Sequence, residues 1–578
     1  MNFQKVDPRY ESTDTDFQTL IDEVHTRDMK LVLDVVFNHT GNFGEAYLAP
    51  MFEKDYSANL EDIDACLKLS ANSLLDESYF KLSGPAQYDM RLKMMKNTDW
   101  KNHEKHNYYH HFGFGSWDDF SVQFFQMAGD CVDLNTENPK VLKYIVDSYS
   151  KYIEMGVDAF RIDTGKHMSR LEFNCYLNDA FKEAAARCGN DNFYMFTEIC
   201  AKSSEVTYRG SVENLSPYFY TWKDDETYGF TMDDENMYEG VIILPETNDC
   251  SNDEKDEQRV LTDLTYWTRE TEDGRTVTPV NSLAVQKQGM ATTNVRTNRP
   301  ISDNHQLNGN IYHTPDYTKF SGLNVIDFPM HWNFNSAAGA FGVHGGDKYY
   351  NDSTWNVVYV DSHDYGPSDK FEYRYDKGTD AWAENMTLMF TFRGIPCLYY
   401  GSEVEFQAGC PIDKGSNLAL KDSGRAYYGD YLEGTVNASD FGNYTATGNV
   451  RETLNKPLCR HLIRLNQIRR AIPALQKGQY STDNCSGSMS FKRRFTDVST
   501  GEDSFVLVTI SGNSTFSDII EGTYVDVITG DKQIVKEGGS LKASCTGKGN
   551  ARIYVYQNVT ASEKGADGKI GDDTDWLK

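Results

Sequence analysis

Residues 31–39, Leu31-Val32-Leu33-Asp34-Val35-Val36-Phe37-Asn38-His39, decide how this chain is read. The apolar run from 31 to 37, broken only by Asp34, does not alternate, so it reads as a strand buried on both faces, as parallel sheets require. Just before it, Phe17, Leu20, Ile21 and Val24 recur at helical spacing, with Thr13 or Asp14 available as an N-cap. The same rhythm returns further along. Asn138-Pro139 reads as an N-cap and first helical residue, and Leu142, Ile145, Val146, Tyr149 and Ile153 follow on one face. Gly156 stops that helix, and 157–163 is the next strand. Further strands are expected at 193–197, 323–328, 357–360 and 395–400, followed by a helix carrying Leu458, Leu462, Ile463, Leu465 and Ile468. Helices alternating with buried strands imply a parallel sheet, and this many repeats favours a closed α/β barrel.

Two stretches interrupt the rhythm, 41–137 and about 201–320, the second with an acidic run at 246–258. Structureless loops of such length are implausible, so both read as inserted subdomains. From about 479 the pattern changes to short strands (505–510, 524–528, 551–556) with Gly and Asn between them, an antiparallel β domain ending near 558. Residues 559–578 read as linker or disordered tail. The expected layout is therefore barrel at 1–40, insert at 41–137, barrel again at 138–478 with the second insert inside it, and a C-terminal β-sandwich at 479–558.

The 578 residues carry 57 Lys and Arg against 86 Asp and Glu, a formal charge of −29 that repels phosphate backbones and anionic lipid. No nucleic-acid partner is expected. No apolar run approaches the roughly 18 residues of a membrane span. Apolar residues at 39% and aromatics at 13% are ample for large cores. The 11 cysteines show no zinc spacing; Cys485 and Cys545 both fall in the C-terminal region and are candidates for a pair that sequence alone does not establish. MNFQKVDPRY has no apolar core of a signal peptide.

Charged residues cluster where the strands end, the edge of a barrel that faces an active site. They are Asp34 to His39, Arg161-Ile162-Asp163-Thr164-Gly165-Lys166-His167, Thr197-Glu198, and Asp361-Ser362-His363-Asp364. A single Asp after a strand is often only a helix cap. Four such tips are hard to read as caps. Converging carboxylates without a cofactor loop suit glycoside hydrolysis, in which one ionised carboxylate attacks and one protonated acid assists the leaving oxygen. Arg161 shares a strand face with Asp163 and would keep it ionised by charge pairing, while Glu198 among Phe193, Met195, Phe196 and Ile199 suits the acid.

In order, DVVFNH, FRIDTGKH, the Glu of FTEIC, and DSHD resemble the four short motifs of the α-amylase family of glycoside hydrolases. VDLNTENPKV (132–141) and GIPCLYYGSE (394–403) resemble two supporting segments, and the likeness covers roughly residues 1–475. It implies a (β/α)8 TIM-type barrel with inserted subdomains and a C-terminal antiparallel β domain. It further implies Asp163 as nucleophile, Glu198 as general acid/base and Asp364 as the third carboxylate, gripping sugar hydroxyls. Arg161 would orient Asp163, His39 and His363 would bind the sugar being cleaved, and Lys166 and His167 would border the leaving group. A structural calcium would use Asn38, Asp133 and the His167 carbonyl, an all-oxygen set.

Three departures from that pattern stand out. Ser362 replaces the Asn common before His-Asp. The 201–320 insert is long, and its Tyr218, Tyr220, Trp222 and Trp267 are candidates for sugar stacking, although ordinary core packing is the better reading for each. DVVFNH belongs to barrel strand 3, yet only one helix precedes it, so strands 1 and 2 are missing from this chain. An open six-strand barrel exposes unpaired edges. The chain is thus expected to be the C-terminal part of a longer protein. The expectation is a monomeric, secreted, retaining endo-hydrolase of α-1,4-glucosidic bonds in starch, glycogen or maltooligosaccharides. The alternatives are a glucanotransferase of the same family and a non-catalytic carbohydrate-binding barrel.

Overall fold

The computed structural model describes residues 3–7, 10–40, 131–134, 139–168, 172–201, 217–223, 309–412, 419–440, 443–497 and 499–557. It also describes short pieces at 78, 81–83, 86, 117, 120–123, 127, 136, 207–208, 211–212, 269–270, 276–277 and 304–307. Most of the two expected inserts, including Trp267 and the 246–258 run, and the tail from 559 lie outside the described residues. The chain divides into two compact units: residues 1–201, 205–300 and 319–325 form one, and 202–204, 301–318 and 326–578 form the other.

The first unit opens with α1 (Phe17–His25). Its N-cap is Asp16, whose carboxylate accepts the Thr19 amide at 2.8 Å, rather than Thr13 or Asp14. Asp16 immediately precedes the first helical residue, the position from which a short side chain reaches the third amide. Then come β1 (Val32–Val36), α2 (Pro139–Met155), β2 (Ala159–Asp163), α3 (Asn178–Arg187), β3 (Tyr194–Thr197) and β4 (Asn324–Val325). The strands form one sheet in the order β1-β2-β3-β4, and every pairing is parallel. The register sets Val36 opposite Asp163 and Ile162 opposite Thr197. Asp163 and Glu198 therefore leave neighbouring strands at the same level.

The expectation that β1 is buried on both faces needs correcting. Only Val35 is fully buried; Val32 is exposed and Leu33 half-buried. Among the described strands β1 pairs with β2 alone, so it is an edge. An edge strand has lost one neighbour's cover, whatever its composition. Tyr149 of α2 ties this edge down, its hydroxyl donating to the Val36 carbonyl at 3.0 Å and accepting the Val36 amide at 3.1 Å. Beneath, Phe160 meets Phe181 and Phe193 edge-on at 5.3 and 4.9 Å, and Phe37 stacks on Phe181. Each buried ring contributes roughly 1.5–3 kcal/mol.

In the second unit Ile326, which follows β4 directly in the chain, bridges in parallel to Val357. β5 (Val357–Val358) then pairs in parallel with β6 (Ile395–Pro396). α4 (Phe328–Asn333) is capped by Asp327, α5 (Ala337–Phe341) by Ser336, and the longer α6 (Thr379–Thr391) and α7 (Pro457–Ala471) follow. The C-terminal region holds β7 (Gln479–Ser481), β8 (Cys485–Ser486), β9 (Ser490–Asp497), β10 (Glu502–Thr509), β11 (Gly512–Phe516), β12 (Gly522–Asp526), β13 (Lys532–Val535), β14 (Leu541–Cys545) and β15 (Arg552–Tyr556). These make a six-stranded antiparallel sheet, β7-β9-β10-β15-β12-β13, and a three-stranded one, β8-β11-β14.

Alternation along β10 explains how the larger sheet is covered on both sides. Phe505 and Leu507 join a core with Phe516 and Leu541 of the smaller sheet, while Val506 and Val508 join the core built with α6 and α7. Cys485 and Cys545 are free thiols. They pair with opposite ends of β11, Cys485 with Phe516 and Cys545 with Gly512. Two strand spacings, about 10 Å, already exceed disulfide reach.

Candidate active site

Three of the four charged strand tips lie in the first unit, where Arg161 of β2 joins them. Its Nη1 donates to Asp34 at 2.9 Å and to Asp163, and its Nη2 donates to Glu198 at 2.8 Å. The sequence reading paired Arg161 with Asp163 alone. Parallel register adds the others, because Asp34 is the direct β1 partner of Arg161 and Glu198 lies one residue beyond β3. Burial works to lower the guanidinium pKa, but Glu198, Asp34 and Asp163 outweigh it and hold it raised. The cation is permanent, and it lies against all three carboxylates. Glu198 is buried among apolar neighbours as expected, yet it also sits on this cation.

The turn after Asp163 is tightly built. Thr164 has φ 53°, left-handed for a β-branched residue, a conformation that costs energy and is held by its surroundings. One turn of 3-10 helix, Gly165–His167, follows. The Lys166 amide donates to the Glu198 carbonyl at 3.2 Å, and the Glu198 amide donates to the Ile162 carbonyl at 2.9 Å, which locks the two tips together. Lys166 is buried, with its Nζ donating to the Cys200 carbonyl at 2.8 Å and lying 5.2 Å from the Trp117 ring centre. His167 packs edge-on against Trp117, and burial, then Lys166 and His39, push its pKa down to about 3, so it is neutral. Trp117 was not singled out from sequence. It lies among the aromatics of the 41–137 stretch, and nothing in its spacing marks it.

Asn38 and His39 lie just past β1, after Phe37, and both are buried. The Asn38 side-chain nitrogen donates to Asp133 Oδ1 at 3.0 Å and to the His167 carbonyl at 3.1 Å. The three residues expected to hold calcium are thus brought to one point. Exchanging the amide nitrogen and oxygen of Asn38, an assignment that hydrogen bonding alone decides, would aim three oxygens there. The donor set fits a hard cation.

His363 and Asp364 lie in the second unit, beyond β5. Ser362 forms the tip: its hydroxyl accepts the amides of Asp364 and Tyr365 at 3.1 and 3.0 Å, and its own amide donates to the Tyr365 carbonyl at 2.8 Å. Serine, standing where Asn is common, closes the turn itself. His363 Nε2 lies 2.9 Å from one Asp364 oxygen and Arg425 Nη2 2.7 Å from the other. Of the aromatics weighed for sugar stacking, Tyr218, Tyr220 and Trp222 are buried core side chains.

The chain is similar to known proteins. Residues 1–209 match the family described as the alpha amylase catalytic domain. An α-amylase of Streptomyces lividans is 24% identical over 574 residues, covering 94% of this chain and 50% of that protein. A cyclomaltodextrin glucanotransferase of Klebsiella oxytoca is 26% identical over 213 residues, 36% of this chain and 26% of that protein. The chain thus spans half the length or less of these relatives. Among solved structures, the α-amylase of Geobacillus thermoleovorans complexed with acarbose aligns with a TM-score of 0.49 and 15% identity, over 96% of this chain and 83% of that one. Over its first 209 residues the chain is similar to that catalytic domain, and it carries DVVFNH, FRIDTGKH, FTEIC and DSHD in order along its sequence.

Proposed function

We propose that this chain carries the active site of a retaining endo-hydrolase of α-1,4-glucosidic bonds in starch, glycogen or maltooligosaccharides. One observation supports it best. A single guanidinium, Arg161, binds Asp163 and Glu198 at once, at the C-terminal ends of adjacent parallel strands. Two nitrogens of one planar group keep the carboxylates close, which suits the pair separation of about 5 Å used for retention rather than the wider gap that admits a water.

In this reading the Asp163 carboxylate attacks the anomeric carbon while Glu198 gives its proton to the departing glycosidic oxygen. A glycosyl ester forms on Asp163. Glu198, now ionised, takes a proton from water, whose oxygen displaces Asp163 and restores both residues. Asp364 and His363 grip hydroxyls of the distorting ring. Arg161 holds the Asp163 carboxylate in place by an ion pair. Calcium, if bound, would be held by Asn38, Asp133 and the His167 carbonyl, where it would tie β1 to the turn after β2. A polymeric substrate suits a secreted enzyme, and no helix among the described residues is long and apolar enough to cross a membrane.

The test is reducing-end release from soluble starch with calcium present, beside Asp163→Asn. Loss of at least a thousandfold in the variant is expected; equal rates would remove Asp163 from the nucleophile role. The glucanotransferase reading draws on the Klebsiella oxytoca relative and would use the same carboxylates. Cyclic or disproportionated products in place of reducing ends would favour it.

A further inference from the structure

We propose that Arg425 is a positioning residue for the third carboxylate, presented to it by a turn that the same strand-end loop holds in place. The proposal rests on the reading of Asp364 as a catalytic carboxylate and goes beyond it, to how that carboxylate is aimed. Asp364 lies at a loop tip, partly exposed, where a carboxylate free to rotate would grip a sugar ring poorly. His363 Nε2 lies 2.9 Å from one of its oxygens and Arg425 Nη2 2.7 Å from the other. Arg425 Nε also donates to the His363 carbonyl at 2.8 Å. One planar fork thus holds both the side chain of Asp364 and the backbone just before it, a grip that a lysine point charge cannot reproduce.

Arg425 comes from 61 residues further along the chain, so something must hold its turn still. Arg374 does so. It is fully buried, and its Nε donates to Asp361 at 2.8 Å, three residues before Asp364. Its Nη1 donates to the Gly424 carbonyl at 3.0 Å, and its Nη2 to Ser402 Oγ at 3.1 Å. The Gly424 amide donates to the Pro411 carbonyl at 2.7 Å, and the Arg425 amide to Ser423 Oγ at 3.1 Å. The contacts close a ring: the loop 361–364 binds Arg374 at one end and Arg425 at the other, and the 423–425 turn joins those two arginines. Gly424 is required by the approach. A Cβ there would meet Arg374 Cγ at 2.7 Å and Ile412 Cα at 3.2 Å.

The experiment compares the full chain with Arg425→Gln, Arg425→Lys, Gly424→Ala and Asp364→Asn on a maltooligosaccharide, with kcat, KM, their pH profiles and Tm measured for each. Arg425→Gln is expected to lower kcat about 10- to 100-fold with KM within about threefold. It should also move the acid limb of kcat/KM up by about one pH unit, because a cation beside Asp364 has gone. Arg425→Lys should return the acid limb but recover kcat only in part, since charge is restored and the fork is not. Gly424→Ala, which keeps every charge, should lower kcat with the acid limb unmoved. Arg425→Gln with kcat within twofold of the parent overturns the proposal, as does a loss accompanied by a lower Tm and an unshifted acid limb. If Asp364→Asn retains full activity, the reading of Asp364 itself fails; if Asp364→Asn is inactive and Arg425→Gln is not, only the positioning role fails.

Discussion

A Cβ placed on Gly165 would stand 2.0 Å from Thr197 Oγ1 and 3.0 Å from Thr197 Cβ, in the turn that joins Asp163 to Lys166. Thr197 cannot withdraw easily, because its hydroxyl donates to the Ile162 carbonyl at 3.0 Å and it ends β3 directly before Glu198. Gly165→Ala should therefore force the two tips apart. We expect a destabilisation of about 1–3 kcal/mol and at least a tenfold fall in starch hydrolysis, with Thr197→Ala in the same chain relieving part of both. Melting and rates equal to the parent would mean that the turn is not what holds the tips. At this scale much was legible beforehand. Arg161 and Asp163 are two apart on a strand, and alternation alone puts them on one face. The bonds from Arg161 to Asp34 and Glu198 were not legible, because they depend on which strands are neighbours. Arg425 was invisible for the same reason, its partner lying across an irregular loop.

Between elements, α6 and α7 meet around His461, which is completely buried on α7. Its Nε2 lies 2.9 Å from Thr387 Oγ1 and 3.0 Å from the Ala383 carbonyl, both on α6. Burial pushes its pKa down to about 4, from an ordinary 6.5. Above pH 6.5 the imidazole is neutral whether the chain is folded or not, so it does not affect the balance. Below that the unfolded chain takes up a proton that the folded chain refuses, and stability falls until about pH 4, by roughly 3 kcal/mol. His331, beside Tyr359 on α4, is pushed to about 3 by burial and acts in the same sense. Urea unfolding of the parent between pH 7 and pH 4 should show this loss, and His461→Gln should show a shallower one. An identical slope in the variant would remove His461 from the acid response. Helices such as these are readable from apolar spacing, but which histidine faces another helix is fixed only on packing. β1 makes the complementary point. Its composition asks for a buried strand, and its place at the sheet edge decides otherwise.

Over the whole molecule the charge of −29 sets a background that no single contact reveals. The buried pairs that organise each unit, Arg161 with Asp163 and Glu198, Arg374 with Asp361 and Arg393 with Asp327, lie largely out of reach of mobile ions. The unbalanced surface carboxylates do not. At about 0.01 M salt their repulsion acts over roughly 30 Å, a distance comparable to a whole domain, and at 0.1 M over only about 10 Å. Compact packing brings these like charges together and unfolding lets them apart, so screening should favour the folded chain. We expect the melting temperature to rise by about 1 °C between about 0.01 M and 0.2 M sodium chloride, equivalent to about 1 kcal/mol in a chain of this size. If surface ion pairs such as Lys143–Asp147 and Arg451–Glu452 governed stability instead, salt would weaken them and the melting temperature would fall. The sign of that single slope therefore separates the two accounts. Sodium sulfate at matched ionic strength must give a larger rise, since its exclusion from the surface adds to the same screening.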